Sequence, residues 1–149
     1  MMMDLRELYQ EVIIDHNRNP RNHHAMDHAT NRANGFNPLC GDKLTVYLRL
    51  DHNVVQEISF VGCGCAISQA SASLMTDALQ GKTVNEAHAL FEQFHQMLTQ
   101  DTPIPSLNVD KLTVLAGVRA FPARVKCATL AWHTMEAALK QDTDTVVTE

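Results

Sequence analysis

Three short segments of the chain carry thiol and carboxylate side chains at spacings that could form one reactive site. They are Leu39-Cys40-Gly41-Asp42, Gly64-Cys65 and Arg124-Val125-Lys126-Cys127. A tetrahedral zinc ion needs four ligands at about 2.0 to 2.3 Å, and three thiolates with one carboxylate meet that number. Glycines beside Cys40 and on both sides of Cys63 allow the backbone to approach a metal closely. We therefore consider a shared metal or thiol site.

Each of these residues also has an ordinary structural explanation. A single cysteine is most often a small buried apolar residue, and Asp42 alone is typical of a turn. The spacing is moderate evidence, because the chain has no paired CxxC knuckles. The metal or thiol hypothesis therefore depends on the three segments meeting in the fold.

Charge near the candidate ligands provides a further criterion. Three thiolates and a carboxylate around Zn²⁺ leave excess negative charge, which Lys43, Arg124 and Lys126 could offset. These cations are equally typical of a solvated surface. If helices begin near Ile67 and Pro122, their N-termini would stabilise the nearby Cys65 and Cys127 thiolates, and we expect both to be ionised near neutral pH.

The elements that must position these segments can be read from periodicity. Alternation predicts a strand at 43–50 that forms an antiparallel hairpin with 54–61, and a short edge strand is expected at 29–34. Helices are predicted at 4–17, 68–79, 84–98 and 122–141, with a short one near 109–115. Thr83 and Glu86 form a capping box for the third helix. Small residues at 70–73 indicate close packing of the second helix.

Composition favours one globular intracellular domain over 1–149, with 141–149 as a disordered tail. The chain has 149 residues, 45% of them hydrophobic, and a net charge of -5. That charge and the lack of a basic stripe argue against nucleic acid as a partner. Without a signal peptide or a run of about 20 apolar residues, we expect a cytoplasmic protein that does not bind membranes. Disulfides are therefore less expected than metal or thiol chemistry.

Three motifs together give the chain a specific resemblance. LCGD at 39–42, GCGCAISQASAS at 62–73 and FPARVKCATLAW at 121–132 resemble SufU-type members of the IscU/NifU-N-terminal-like iron-sulfur cluster assembly family. The resemblance extends from the first helix to Ala138. It implies an α+β fold, with helices packed against a small antiparallel three-stranded sheet.

The resemblance also implies a ligand set. The zinc ligands would be Cys40, Asp42, Cys65 and Cys127, while Cys63 falls where family members need no cysteine and would be a spare thiol. No histidine occupies a family ligand position, so we assign all eight to the surface or to packing: His16, His23, His24, His28, His52, His88, His95 and His133.

The activity implied by the resemblance is zinc-dependent sulfur transfer. Cys40 would accept persulfide sulfur from a pyridoxal-phosphate cysteine desulfurase of the SufS type, for use by a downstream SufBCD-type scaffold. A histidine of the docked desulfurase would displace Cys40 from zinc, and Arg124 would assist docking or steady the freed thiolate.

Two alternatives share these residues. One is an IscU-like scaffold that assembles a [2Fe-2S] cluster, since thiolates also suit iron. Scaffolds of that type usually carry histidine where this chain has Lys126, and the extra segment Thr99 to Gly117 resembles a SufU insertion. The other is a structural zinc module with a closed, unreactive site.

Overall fold

The computed structural model describes residues 5–99, 110–141 and 145–148, and it has an α+β fold. The elements in chain order are α1 (Leu5–Arg18), β1 (Asn31–Asn37), β2 (Asp42–Asp51), β3 (Val54–Cys63), α2 (Ala66–Leu79), α3 (Val84–Thr99), a 3₁₀ helix (Asp110–Ala120), α4 (Pro122–Leu139) and β4 (Val146–Val147). The predicted helices and the first three strands are confirmed, with shifts at their ends. Part of the expected insertion, 100–109, lies outside the described residues.

The sheet has four strands in the order β3-β2-β1-β4. The first three strands are antiparallel, with Asn37 opposite Asp42 and Lys43 opposite Cys63. β4 runs parallel to β1 and pairs through two residues. The prediction of three purely antiparallel strands is therefore wrong at this edge, because a two-residue strand has no periodicity that a sequence pattern could show.

The C-terminal segment is attached to the sheet near the candidate ligands. The backbone N–H of Thr148 donates to the carbonyl of Phe36 over 3.1 Å, and its hydroxyl donates to the carbonyl of Lys126 over 3.3 Å. Within the predicted tail at 141–149, residues 142–144 and 149 lie outside the described residues, and Val146–Val147 form β4.

The core lies between one face of the sheet and the helices. Alternate residues of β2, Leu44, Val46 and Leu48, are buried on this face. α4 is buried along most of its length and contacts β1 closely, since a Cβ added to Gly35 would overlap the hydroxyl of Thr134. Packing of α4 on β1 therefore sets the depth of the helix that carries Cys127.

The small residues of α2 permit close approach of its neighbours, as predicted. Residues 70–73 are all buried. Ser71 donates a 2.5 Å hydrogen bond to the carbonyl of Ala128 in α4, and Ser73 lies 2.7 Å from Nδ1 of His16 in α1. Each serine hydroxyl thus satisfies a polar group that larger apolar residues would leave unpaired.

α3 begins with the predicted capping box and carries a histidine-rich face. Thr83 and Glu86 exchange hydrogen bonds of 3.0 and 3.1 Å between backbone N–H groups and side-chain oxygens. Further along, Phe91 packs against the rings of His88, His95 and His133. No helix within the described ranges is long and apolar enough to span a membrane.

Replacing Gly35 with Ala is predicted to destabilise the fold. The new Cβ would overlap Thr134 and lie 3.1 Å from Leu130 Cδ1, so α4 must shift away from the sheet. Such overpacking costs about 1 to 3 kcal/mol, measurable as a lower midpoint of urea unfolding. Gly117→Ala is the control, because nothing lies within 4 Å of its added Cβ. Equal midpoints for the two variants would contradict this account of the packing.

Candidate metal centre

The turn between β1 and β2 delivers two of the candidate ligands. Pairing of Asn37 with Asp42 closes the hairpin, and Gly41 adopts a φ of +71°, which glycine tolerates without strain. Cys40 is half-buried in this turn, whereas Asp42 is fully buried as the first residue of β2. The two ligands therefore differ in their access to solvent.

The segment between β3 and α2 places Cys65 beside Asp42. The backbone N–H of Cys65 donates to Asp42 Oδ1 over 2.8 Å, and the Cys65 thiol lies 3.9 Å from Asp42 Oδ2. Cys65 is also the N-cap of α2, and its sulfur accepts the N–H of Ser68 over 3.4 Å. A Cβ at Gly64 would lie 2.5 Å from Asp42 Oδ1, so this approach requires glycine.

Cys127 lies in the second turn of α4, close to Cys40 and Asp42. Its thiol lies 3.0 Å from that of Cys40, and the ligand atoms of Cys40, Asp42 and Cys127 all lie within 4.8 Å of one another. Ligands that share one tetrahedral zinc lie about 3.5 to 3.8 Å apart, given the usual bond lengths. The structure thus brings Cys40, Asp42 and Cys127 together, while Cys65 lies beside Asp42 and outside this group of three. Three thiols and a carboxylate are donor types that fit zinc.

In the described part of the chain, no other three His, Cys, Asp or Glu side chains converge in this way. All eight histidines are described, and none belongs to the group. Cys63 is exposed at the end of β3, opposite Lys43, and is also outside it. The Lys43 ammonium lies 5.6 Å from the centroid of the Phe36 ring.

Asn37 contacts the site but was not identified from the sequence. It is fully buried, and its Nδ2 lies 3.4 Å from both Asp42 Oδ2 and Cys127 Sγ. An asparagine immediately before Pro38 is typical of a turn. The only sequence signal was its position three residues before Cys40.

The pKa of the Cys127 thiol is shifted in a direction that the sequence did not predict. Burial, followed by hydrogen bonding with Cys40 and Asp42, raises the pKa of the Cys127 thiol far above its ordinary value. This shift is opposite in direction to the one that the helix N-terminus was predicted to cause. Cys127 lies inside α4, one turn beyond the N-terminal N–H groups, and burial outweighs the helix dipole.

Arg124 lies close enough to interact with the thiols. The charge of the Cys65 thiolate raises the pKa of the Arg124 guanidinium, and a hydrogen bond with Cys127 adds to the effect. The side chain is exposed at the start of α4. It places a positive charge near the three thiols.

The fold and site define a class: an α+β domain with a group of thiols and a carboxylate that could hold a metal ion. The family model for the NifU-like N-terminal domain matches residues 8–146. This chain belongs to that family.

Relatives with two different functional names have similar sequence identity to this chain. The chain is 37% identical to "Zinc-dependent sulfurtransferase SufU" of Bacillus subtilis, over 93% of this chain and 94% of that protein. It is 38% identical to "Iron-sulfur cluster assembly scaffold protein IscU" of Streptococcus pyogenes, over 92% of this chain and 86% of that one.

A solved structure of a relative shares the fold. It is a putative iron-sulfur cluster assembly scaffold protein for the SUF system from Fervidobacterium islandicum, with a TM-score of 0.83 and 32% identity. The match covers 91% of this chain and 99% of that one. The named relatives are thus iron-sulfur assembly scaffolds and a zinc-dependent sulfurtransferase.

Replacing Gly64 with Ala is predicted to weaken metal binding. The added Cβ would collide with the Asp42 carboxylate and disturb its bond to the Cys65 N–H. Loss of such ligand support typically lowers metal affinity about 10- to 100-fold. Competition with a chromophoric zinc chelator measures the change, and Gly117→Ala, whose added Cβ has nothing within 4 Å, is the control. Wild-type affinity in Gly64→Ala would refute this role.

Proposed function

We propose that this chain is a zinc-dependent sulfurtransferase of iron-sulfur cluster assembly. It accepts persulfide sulfur from a pyridoxal-phosphate cysteine desulfurase of the SufS type in the cytoplasm, and the sulfur passes to a SufBCD-type scaffold. The zinc ligands are Cys40, Asp42, Cys65 and Cys127. The observation that carries the proposal is the difference between Cys40 and the other three.

Cys40 is held more weakly than its neighbours. Asp42 accepts a backbone N–H and the Asn37 amide, Cys65 accepts the Ser68 N–H, and Cys127 is enclosed in α4. Within the described residues, the Cys40 thiol has a hydrogen bond with Cys127 alone. Cys40 and Cys65 are both half-exposed, but Cys65 is fixed as the N-cap of α2, whereas Cys40 lies in a turn. Such a ligand can leave a metal while the other three remain.

The proposed transfer is a thiol exchange at sulfur without net oxidation. The Cys40 thiolate attacks the terminal sulfur of the donor persulfide, and a new S–S bond forms. The S–S bond of the donor breaks, and its cysteine leaves as a thiolate. Bound zinc supplies positive charge that keeps its thiol ligands deprotonated. The turn exposes Cys40 to the donor, and the burial of Cys127 excludes it as the acceptor.

Two exposed apolar side chains, one next to Cys40 and one at the start of the helix that carries Cys127, suit a protein donor. Leu39, directly before Cys40, and Phe121, the N-cap of α4, are each 62% exposed. Large exposed apolar side chains beside a reactive group are typical of a docking surface. Arg124, near the thiols, adds a positive charge to the same region. We infer that the desulfurase contacts these residues.

An IscU-like scaffold is the second candidate. The identity to a named IscU scaffold, 38%, is as high as that to the named sulfurtransferase, 37%. The same three thiols and carboxylate could hold a [2Fe-2S] cluster. Lys126, where scaffolds of that type usually carry histidine, favours the sulfurtransferase.

The proposal predicts that Cys40→Ala abolishes sulfur acceptance and that Cys63→Ala retains most of it. A desulfurase loaded with radiolabelled persulfide is mixed with zinc-loaded protein, and peptide mapping locates the label. We expect label on Cys40, because Cys127 is buried, the Cys65 sulfur accepts the Ser68 N–H as the N-cap of α2, and exposed Cys63 lies outside the proposed ligands.

Cys63→Ala is the matched control for Cys40→Ala, and protein without zinc is the control for the metal. Omission of zinc should slow transfer. A Cys63→Ala variant that binds zinc but accepts no sulfur would identify Cys63, and not Cys40, as the sulfur acceptor. Absence of label from the wild type, with an active desulfurase, would favour the scaffold. Assembly of a stable [2Fe-2S] cluster on the wild-type protein would then establish the scaffold function.

Arg124→Ala is predicted to leave zinc bound and to slow transfer. The guanidinium is exposed and is not a ligand, but it interacts with the thiols of the site. We expect a loss of about tenfold in the transfer rate, the order of one charge-assisted hydrogen bond. Lys126→Ala provides a control for removal of a neighbouring cation. Transfer at the wild-type rate would exclude this role for Arg124.

A further inference from the structure

Asn37 is the residue whose side chain joins two of the predicted ligands. We propose that Asn37 is a positioning residue that retains Asp42 and Cys127 at the metal, so that Cys40 is the ligand that leaves. Its effect on metal binding stands on the site geometry, and its consequence for sulfur transfer rests on the proposed function.

The side-chain amide of Asn37 has one orientation that satisfies its surroundings. Its Oδ1 accepts the backbone N–H of Leu39 over 3.2 Å. Its Nδ2 faces Asp42 Oδ2 and Cys127 Sγ, and one amide nitrogen has two hydrogens for these two acceptors. Rotating the amide would place its oxygen against the Asp42 carboxylate. All three contacts therefore depend on the same orientation.

The contacts of the Asn37 side chain are shielded from water. Asn37 and Asp42 are both fully buried, and Cys127 is as well. An amide donor compensates negative charge on a carboxylate or thiolate where water cannot, and it fixes the direction of the ligand atom. The contact with Leu39 N–H also anchors the start of the turn. Asn37 donates no hydrogen bond to Cys40, so the support is unequal among the ligands.

Metal affinity is the first test. Asn37→Leu keeps much of the volume but removes the donor, and Asn37→Ala removes both. We expect zinc to bind about 10- to 100-fold more weakly in both variants, measured by chelator competition. The d–d spectrum of bound Co²⁺ should change as well. Asn34→Ala is the control, because Asn34 lies exposed on the same strand and accepts only the Thr45 hydroxyl among described residues.

Protection of individual cysteines is the second test. Zinc-loaded proteins are treated with iodoacetamide, and each site is quantified by peptide mapping relative to exposed Cys63. We expect Cys40 to react readily and Cys127 to be protected in the wild type. Without the Asn37 amide, alkylation of Cys127 should rise about tenfold or more, while that of Cys40 changes little. A purely structural role would lower the melting temperature and leave this ratio unchanged.

A measurement on the wild type does not depend on any variant folding. In ¹¹³Cd-substituted protein, a hydrogen bond from the Asn37 amide to a metal-bound Cys127 sulfur should give scalar coupling between the amide proton and cadmium. Absence of this coupling, or wild-type zinc affinity and Cys127 protection in folded Asn37 variants, would overturn the proposal. None of these tests contains a desulfurase. Failure of the wild type to accept sulfur would therefore count against the proposed function and not against Asn37.

Discussion

The site depends on burial of one charge-bearing group, the Asp42 carboxylate. Removing a carboxylate from water costs several kcal/mol unless fixed donors replace its hydration. Here the donors come from separate parts of the fold: the Cys65 backbone and the Asn37 side chain. The glycine at position 64 and the hairpin pairing of Asn37 with Asp42 are needed to bring them close. Asp42 thus links the end of β1, the start of β2 and the N-terminus of α2.

The helix packing then gives the thiols of the site different burial. Because Gly35 and Ser71 permit close approach of α4 to β1 and α2, Cys127 reaches the centre from inside the core. Cys40 reaches it from a turn, beside exposed Leu39. A group in which Asp42 and Cys127 are buried while Cys40 and Cys65 are half-exposed suits a centre that binds a metal and also undergoes exchange.

Periodicity predicted most of the regular elements because the strands alternate and the helices have clear buried faces. The three chemical segments were also visible, since thiols and carboxylates beside glycines are unusual. β4 was missed, because two residues of parallel pairing carry no local pattern. Asn37 was missed for a similar reason: its importance comes from Cys127, which is distant in sequence. The direction of the Cys127 pKa shift was predicted wrongly, since the burial of this thiol depends on the packing of α4.

The sequence by itself determined the family resemblance, the types of the possible ligands and the order of most elements. These follow from residue identity and from local periodicity, which a single chain displays directly. Only the tertiary structure decided that Cys40, Asp42 and Cys127 converge, that Cys63 stays outside, and that Asn37 joins two of the ligands. The reason is physical: burial and hydrogen bonding depend on which surfaces meet, and residues 87 to 90 positions apart meet here through the packing of α4 on the sheet.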